Sequence, residues 1–130
     1  MILVDTSAWI EYLRATDSAV HTRLRSLVAA DEALATTDIV VMEILAGARD
    51  PAHVDRLRRL LYRCRLLSAR ELALYEEAAR LYRACCAGGD TVRKLTDCLI
   101  AAVALSEDVA ILHRDADFET IARHTSLRLA

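Results

Sequence analysis

The sequence predicts an α/β fold, with a short, mostly parallel central sheet and helices on both faces. Three observations predict it. Short apolar runs (ILV at 2–4, ALATT at 33–37, VAILH at 109–113) alternate with longer segments of helical periodicity. Strands joined through helices form parallel sheets, and such sheets must be covered on both faces. Finally, one Pro and three Gly in 130 residues leave little chain for long loops or a linker. A single domain over 1–130 is therefore expected, and 55% hydrophobic residues suffice for a sizeable core.

Each element has its own signal. ILV reads as a buried strand. Thr6 to Arg14 and Ser18 to Ala30 read as helices, the second with Val20, Leu24, Leu27 and Val28 on one face. ALATT is a short strand, after which Asp38 is expected to cap a helix running through Ala46, with Gly47 as its stop. Asp50-Pro51 opens the next helix, because Asp caps and Pro is tolerated at the first helical position. Its apolar side carries Val54, Leu57, Leu60 and Leu61. RLLS (65–68) is a further strand candidate. Glu71 to Cys86 is a long amphipathic helix ended by Gly88-Gly89. Leu95 to Leu105 is apolar nearly all round, so it should be buried on most sides. VAILH is a buried strand, Asp117 is expected to cap a short helix through Arg123, and SLRLA closes the chain as an edge strand. No repeat or low-complexity segment is present.

Composition narrows the function classes. A net charge of −2 gives no global attraction for nucleic acid, which leaves that role to local patches. Lys94 is the only lysine among 17 basic residues. Cys64, Cys85, Cys86 and Cys98 form no C-x-x-C pair, and the four histidines do not stand near them at zinc-ligand spacing. They are expected to be reduced, core-facing thiols of a cytoplasmic protein. The apolar start is interrupted by Asp5, and no apolar run reaches the ~18 residues of a spanning helix, so no signal peptide or membrane segment is expected.

Several acids stand where acids are unexpected. In parallel sheets, sites form beyond the carboxyl ends of the strands. Asp5 lies at one such end and Asp115 at another. Glu43 sits in the apolar helix IVVMEILAG, and Asp97 opens the apolar helix TDCLIAAVAL. Each has an ordinary explanation. Asp5 and Asp117 read as helix caps, and Asp97 in a first turn meets the helix dipole favourably. Glu43 is harder to place, since a buried glutamate needs a partner (an Arg, for instance), a raised pKa or a metal. If the four converge, each like-charged pair at ~4 Å costs roughly 4 kcal/mol at an effective dielectric of ~20. Several such pairs rival the ~5–15 kcal/mol stability of a whole domain. Convergence would therefore require protons or cations, and hard divalent ions such as Mg²⁺ or Mn²⁺ suit oxygen ligands.

Four motifs in order (VDTS after a strand, VVMEILAGAR, TDCLIAAVAL, and RDADF after a strand) resemble the PIN-domain nucleases, and in particular the VapC toxins of bacterial VapBC toxin–antitoxin pairs. The resemblance covers essentially the whole chain. It implies a PIN-like α/β/α sandwich in which Asp5, Glu43, Asp97 and Asp115 form a catalytic acidic quartet. Asp117 would help to bind a second metal, and Thr6 would orient the Asp5 carboxylate. His113 departs from the family pattern, which more often has a small polar residue there. The implied reaction is hydrolysis of an RNA phosphodiester with one or two Mg²⁺ or Mn²⁺ ions, leaving 5′-phosphate and 3′-hydroxyl ends.

The same resemblance implies a VapB-type antitoxin whose tail blocks the acidic pocket, contact with DNA only through that antitoxin, and a homodimer formed by the first helices. Trp9, Ile10, Tyr12 and Leu13 could supply the dimer surface or belong to the core. Arg56, Arg59 and Arg63 share one helical side, with Arg114 beside the last acids. They could contact RNA or antitoxin, or form a solvated face. Two other classes compete. Haloacid-dehalogenase-like phosphatases also begin with a strand ending in Asp, but need a second acid two residues on, where this chain has Ser7. A non-catalytic module would use the acids structurally or against an Arg-bearing partner.

Overall fold

In the computed structural model, which describes residues 1–130, the apolar start forms β1 (Ile2–Val4), followed by α1 (Thr6–Arg14) and α2 (Ala19–Ala29). β2 (Leu34–Thr36), α3 (Asp38–Ala46), α4 (Pro51–Leu61) and β3 (Arg65–Leu66) come next. The chain ends with α5 (Leu72–Ala87), α6 (Leu95–Ser106), β4 (Ala110–Leu112) and α7 (Ala116–His124). All strand pairs are parallel and the order is β3-β2-β1-β4.

This order fixes the layers. β1, β2 and β3 are laid down in one direction, and the chain then crosses back to add β4 beside β1. Right-handed crossovers taken in opposite directions put α1 to α4 on one face and α5 and α6 on the other. Packing follows this division: α1 lies on α2 and α3, and α3 on α4, whereas α5 lies on α6 and α7. The strand order reverses between β1 and β4, so their carboxyl ends flank a crevice, the usual place for a site in an open parallel sheet. Leu3, Val4, Ala35, Ile111 and Leu112 are buried within the sheet. Helix α6 is buried without interruption from Asp97 to Ala104, as its all-round apolar sequence predicts.

Helix ends explain most departures from expectation. Thr37, not Asp38, caps α3, accepting the Val40 N–H at 3.2 Å. Asp38 is the first helical residue, and its carboxylate instead accepts from Ser68 Oγ and the Ala69 N–H, tying α3 to the segment after β3. Asp115, not Asp117, caps α7. At α4, Asp50 caps as expected, accepting the His53 N–H at 2.7 Å. The two glycines after α5 have separate duties. Gly89 has φ +90°, a conformation that L side chains rarely adopt. A Cβ on Gly88 would overlap the His124 imidazole, so the end of α7 packs directly on this backbone. SLRLA forms a single parallel bridge, Ile111 to Leu129, not a full strand. Of the cysteines, all free, Cys85 and Cys98 are buried but Cys86 is exposed, against expectation. Burial pushes the Cys98 thiol up to about 12 and that of Cys64 up to about 11. Trp9 is core and Tyr12 packs edge-on against it, which leaves Ile10 and Leu13 as the exposed apolar residues of α1.

Candidate metal centre

The Asp5 N–H still donates to the Leu112 carbonyl at 3.0 Å, so the ladder between β1 and β4 carries Asp5 to the crevice. One carboxylate oxygen caps α1. It accepts from the Ser7 N–H at 2.9 Å and from Ser7 Oγ at 2.5 Å. The other oxygen, Oδ1, is buried and has no donor. Capping thus occupies half of the carboxylate and leaves the other half free. Ser7 Oγ also accepts the Arg114 N–H at 2.9 Å, joining the end of β1 to the end of β4. Thr6 makes no hydrogen bond to the Asp5 carboxylate. It donates to Glu43 Oε1 at 2.9 Å across the α1–α3 contact. The hydroxyl that orients Asp5 is therefore Ser7, and Thr6 orients Glu43.

Asp97 enters from the first turn of α6, and Asp115 and Asp117 from the start of α7. Each of the three offers an oxygen within 4.8 Å of the others. Asp117 is 2% exposed, and its carboxylate is filled by the N–H groups of Arg93 (3.1 Å) and Lys94 (3.0 Å). It thereby anchors the two residues that lead into α6, where Lys94 at the N-cap position makes no side-chain cap bond. Asp115 Oδ1 accepts from Arg93 Nη2 at 2.8 Å and from the Asp117 N–H at 3.0 Å. Lys94 Nζ stands 3.0 Å from Asp115 Oδ2 and 3.8 Å from Asp97 Oδ2. Glu43, only half-buried, lies outside this trio and joins the site through Thr6.

The carboxyls are electrostatically unlike. Burial, reinforced by a hydrogen bond to Asp117, pushes Asp97 up to about 8; Lys94 pulls it down, while the charges of Asp5 and Asp115 push it further up. Burial also works to raise Asp115, but the Asp117 N–H, Lys94 and Arg93 outweigh it and hold the group below the usual carboxylate range. Asp117 is likewise held low against its burial by Asp97 and by the N–H groups of Arg93 and Lys94. Burial opposes the Lys94 charge, yet Asp115, Asp97 and Asp5 keep its pKa raised. Asp5 therefore acts on the same small volume.

These residues fit a hard divalent cation. The donors are carboxylate oxygens, and two of them, Asp5 Oδ1 and Asp97 Oδ2, are buried without a hydrogen bond. Such atoms are costly unless a cation faces them. Arg93 and Lys94 are not among the site residues expected from the sequence, although Lys94 stands out there as the only lysine. A signal for them existed, because two cations at a helix N-terminus oppose its dipole and so imply nearby acids. The arginines chosen from sequence are dispersed. Arg63 meets Asp31 at 3.6 Å, and Arg56 and Arg59 lie exposed on α4. Arg114 pairs with Glu11 at 2.7 Å, next to the centre. Arg14 and Arg49, with His53, line a groove of about 450 Å³ beside Glu43, where Ile10, Leu13, Ile44 and Leu57 are the apolar lining.

An all-parallel sheet flanked by helices, with an acid cluster at its reversal point, defines the class. The PIN domain family model matches residues 2–124, and the chain belongs to that family. It is 44% identical over 131 aligned residues to Ribonuclease VapC11 of Mycobacterium tuberculosis, covering 100% of this chain and 98% of that protein. A VapC ribonuclease of Mycobacterium bovis matches to the same extent. Among solved structures, VapBC2 from Rickettsia felis, bound to a DNA fragment from its promoter, has the same fold, with a TM-score of 0.76. That match has 19% identity and covers 100% of this chain and 98% of that one.

Proposed function

We propose that this PIN domain, read as one unit over 1–130, is the endoribonuclease toxin of a VapBC-type pair and works with Mg²⁺ or Mn²⁺. The observation that carries the reading is the convergence of Asp97, Asp115 and Asp117 within 4.8 Å at the reversal point of the sheet, with unpaired buried oxygens on Asp5 and Asp97. Asp5, Asp97 and Asp115 would hold one ion; Glu43 would help to hold a second, and Asp117, buried and hydrogen-bonded at both oxygens, would reach that ion only by giving up a hydrogen bond. A bound divalent ion supplies a water of lowered pKa and offsets the charge of the scissile phosphate. The protein's own contribution is orientation. Ser7 fixes Asp5, Thr6 fixes Glu43, and the N–H groups that open α6 fix Asp117.

The 44% identical relatives named as VapC ribonucleases support RNA as the substrate. The partner proposed is a VapB-type antitoxin, through which alone the protein would meet DNA. The groove beside Glu43 is a candidate surface for it, and Ile10 and Leu13 are candidates for a homodimer contact. Arg114, Arg56 and Arg59 on α4, and Arg63 just beyond its end, are further candidates for RNA or antitoxin contact. No helix is long and apolar enough to cross a membrane, and four free cysteines suit the reducing cytoplasm.

Cleavage of a total-RNA mixture tests the reading. Wild type should give discrete fragments with Mg²⁺ or Mn²⁺ and none with EDTA. Asp5→Asn, Glu43→Gln and Asp97→Asn should each abolish cleavage. Folded, antitoxin-free wild type that binds RNA but never cuts it with either metal would leave a non-catalytic binding module instead.

A further inference from the structure

We propose that Lys94 is a tethered counter-ion of the acid cluster, which a divalent cation must displace in order to bind. The inference rests on the metal-centre reading above and adds a competitor to it. The hydrogen bonds divide the carboxylate oxygens into two sets. Backbone N–H groups and Arg93 occupy both oxygens of Asp117 and Oδ1 of Asp115. The Lys94 ammonium addresses what remains on its side: Asp115 Oδ2 at 3.0 Å and Asp97 Oδ2 at 3.8 Å. The second distance is too long for a hydrogen bond, and Asp97 Oδ2 is one of the two buried oxygens that have none. Lys94 therefore offsets charge at Asp97 without satisfying the oxygen, and a smaller, doubly charged ion with oxygen-coordinating geometry would do both.

Mobility is also divided unevenly. The lysine side chain is 51% exposed, while those of Asp97 and Asp115 are 5% and 8% exposed. The anions are fixed and the cation can swing out on its flexible stem. Its backbone need not follow, because the Lys94 N–H is held separately by Asp117 Oδ2 at 3.0 Å. The ammonium also lies at the N-terminus of α6, where the helix dipole disfavours positive charge, so the acids alone keep it there. A cation docked on the same oxygens would repel it, and Lys94 would set the metal concentration at which the centre fills.

Calorimetric titration of the chelator-treated full chain with Mn²⁺, together with melting of the metal-free protein, tests this. Lys94→Met should bind Mn²⁺ about two- to fivefold more tightly than wild type, the scale of losing one competing partly exposed charge. The same variant should melt lower when metal-free, and Lys94→Arg should stay close to wild type in affinity. Equal or weaker Mn²⁺ binding by Lys94→Met would overturn the proposal, since a residue that merely shapes the pocket should weaken binding when lost. Absence of Mn²⁺ binding by wild type itself would overturn the metal-centre reading and this inference with it.

Discussion

Asp97 shows most directly what the site does to the fold. Its carboxyl is pushed up to about 8, first by burial, whereas in the unfolded chain it titrates near ~4. Folding therefore favours the protonated form. The stabilisation from this group is complete below pH ~4, declines as pH rises, and is gone above about 8. Asp115 and Asp117 behave oppositely: their pKa values are lowered, so their contribution is lost only in acid. The melting temperature of the EDTA-treated protein should fall between pH 5 and pH 8.5, and Asp97→Asn should flatten that slope and melt above wild type at pH 8.5. A wild-type curve that is flat or rises over this window would contradict the assignment. The acids themselves were legible, since Asp5, Asp97 and Asp115 interrupt apolar elements at strand and helix ends. Their supporting atoms were not. Whether Thr6 or Ser7 reaches Asp5 depends on the direction of side chains in the first turn of α1, and the spacing of letters does not encode it. Glu43 looked buried because its neighbours are apolar, yet its helix face borders an open groove.

At the scale of elements, periodicity located the helices well, and β1, β2 and β4 were visible because burial makes them apolar but for Thr36 at the end of β2. β3 gives a poorer signal: it has two residues, both exposed. Cap assignment failed where two polar residues adjoin, as at Thr37-Asp38, or nearly adjoin, as at Asp115 and Asp117, because the choice depends on tertiary partners such as Ser68 and Arg93. One helix end carries backbone strain. Ala15, the C-cap of α1, has φ 49° and ψ 58°, while its N–H bonds back to Glu11 and Tyr12. A Cβ in this left-handed region costs roughly 1–2 kcal/mol, which the extra unfolded-state entropy of glycine only partly offsets. Ala15 is exposed, so no packing is lost on replacement. Ala15→Gly should stabilise the protein by about 0.5–1 kcal/mol in urea denaturation, without altering metal affinity. Destabilisation would mean that the helix end relaxes in solution.

For the molecule as a whole, the acid cluster links stability to divalent metal. The reversal of strand order brings together carboxylates from Asp5 to Asp117, far apart in sequence, and the folded state alone assembles them. An ion that binds only this assembled set stabilises the fold by mass action, by about 2.7 kcal/mol at ~100 times its Kd. In a domain of this size that corresponds to a rise of roughly 10 °C in Tm. Mn²⁺ added to the chelator-treated protein should produce such a rise, which keeps growing with the logarithm of concentration above the Kd. Because uptake expels the Asp97 proton below about 8, the rise should be smaller at pH 6 than at pH 8. Asp115→Asn should lose most of the effect. A combined Arg56→Ser, Arg59→Ser and Arg63→Ser variant should keep it in full, because those side chains lie on the exposed side of α4 or beside Asp31 and outside the acid cluster. A rise that survives Asp115→Asn would assign the stabilisation to metal bound elsewhere on this acidic chain.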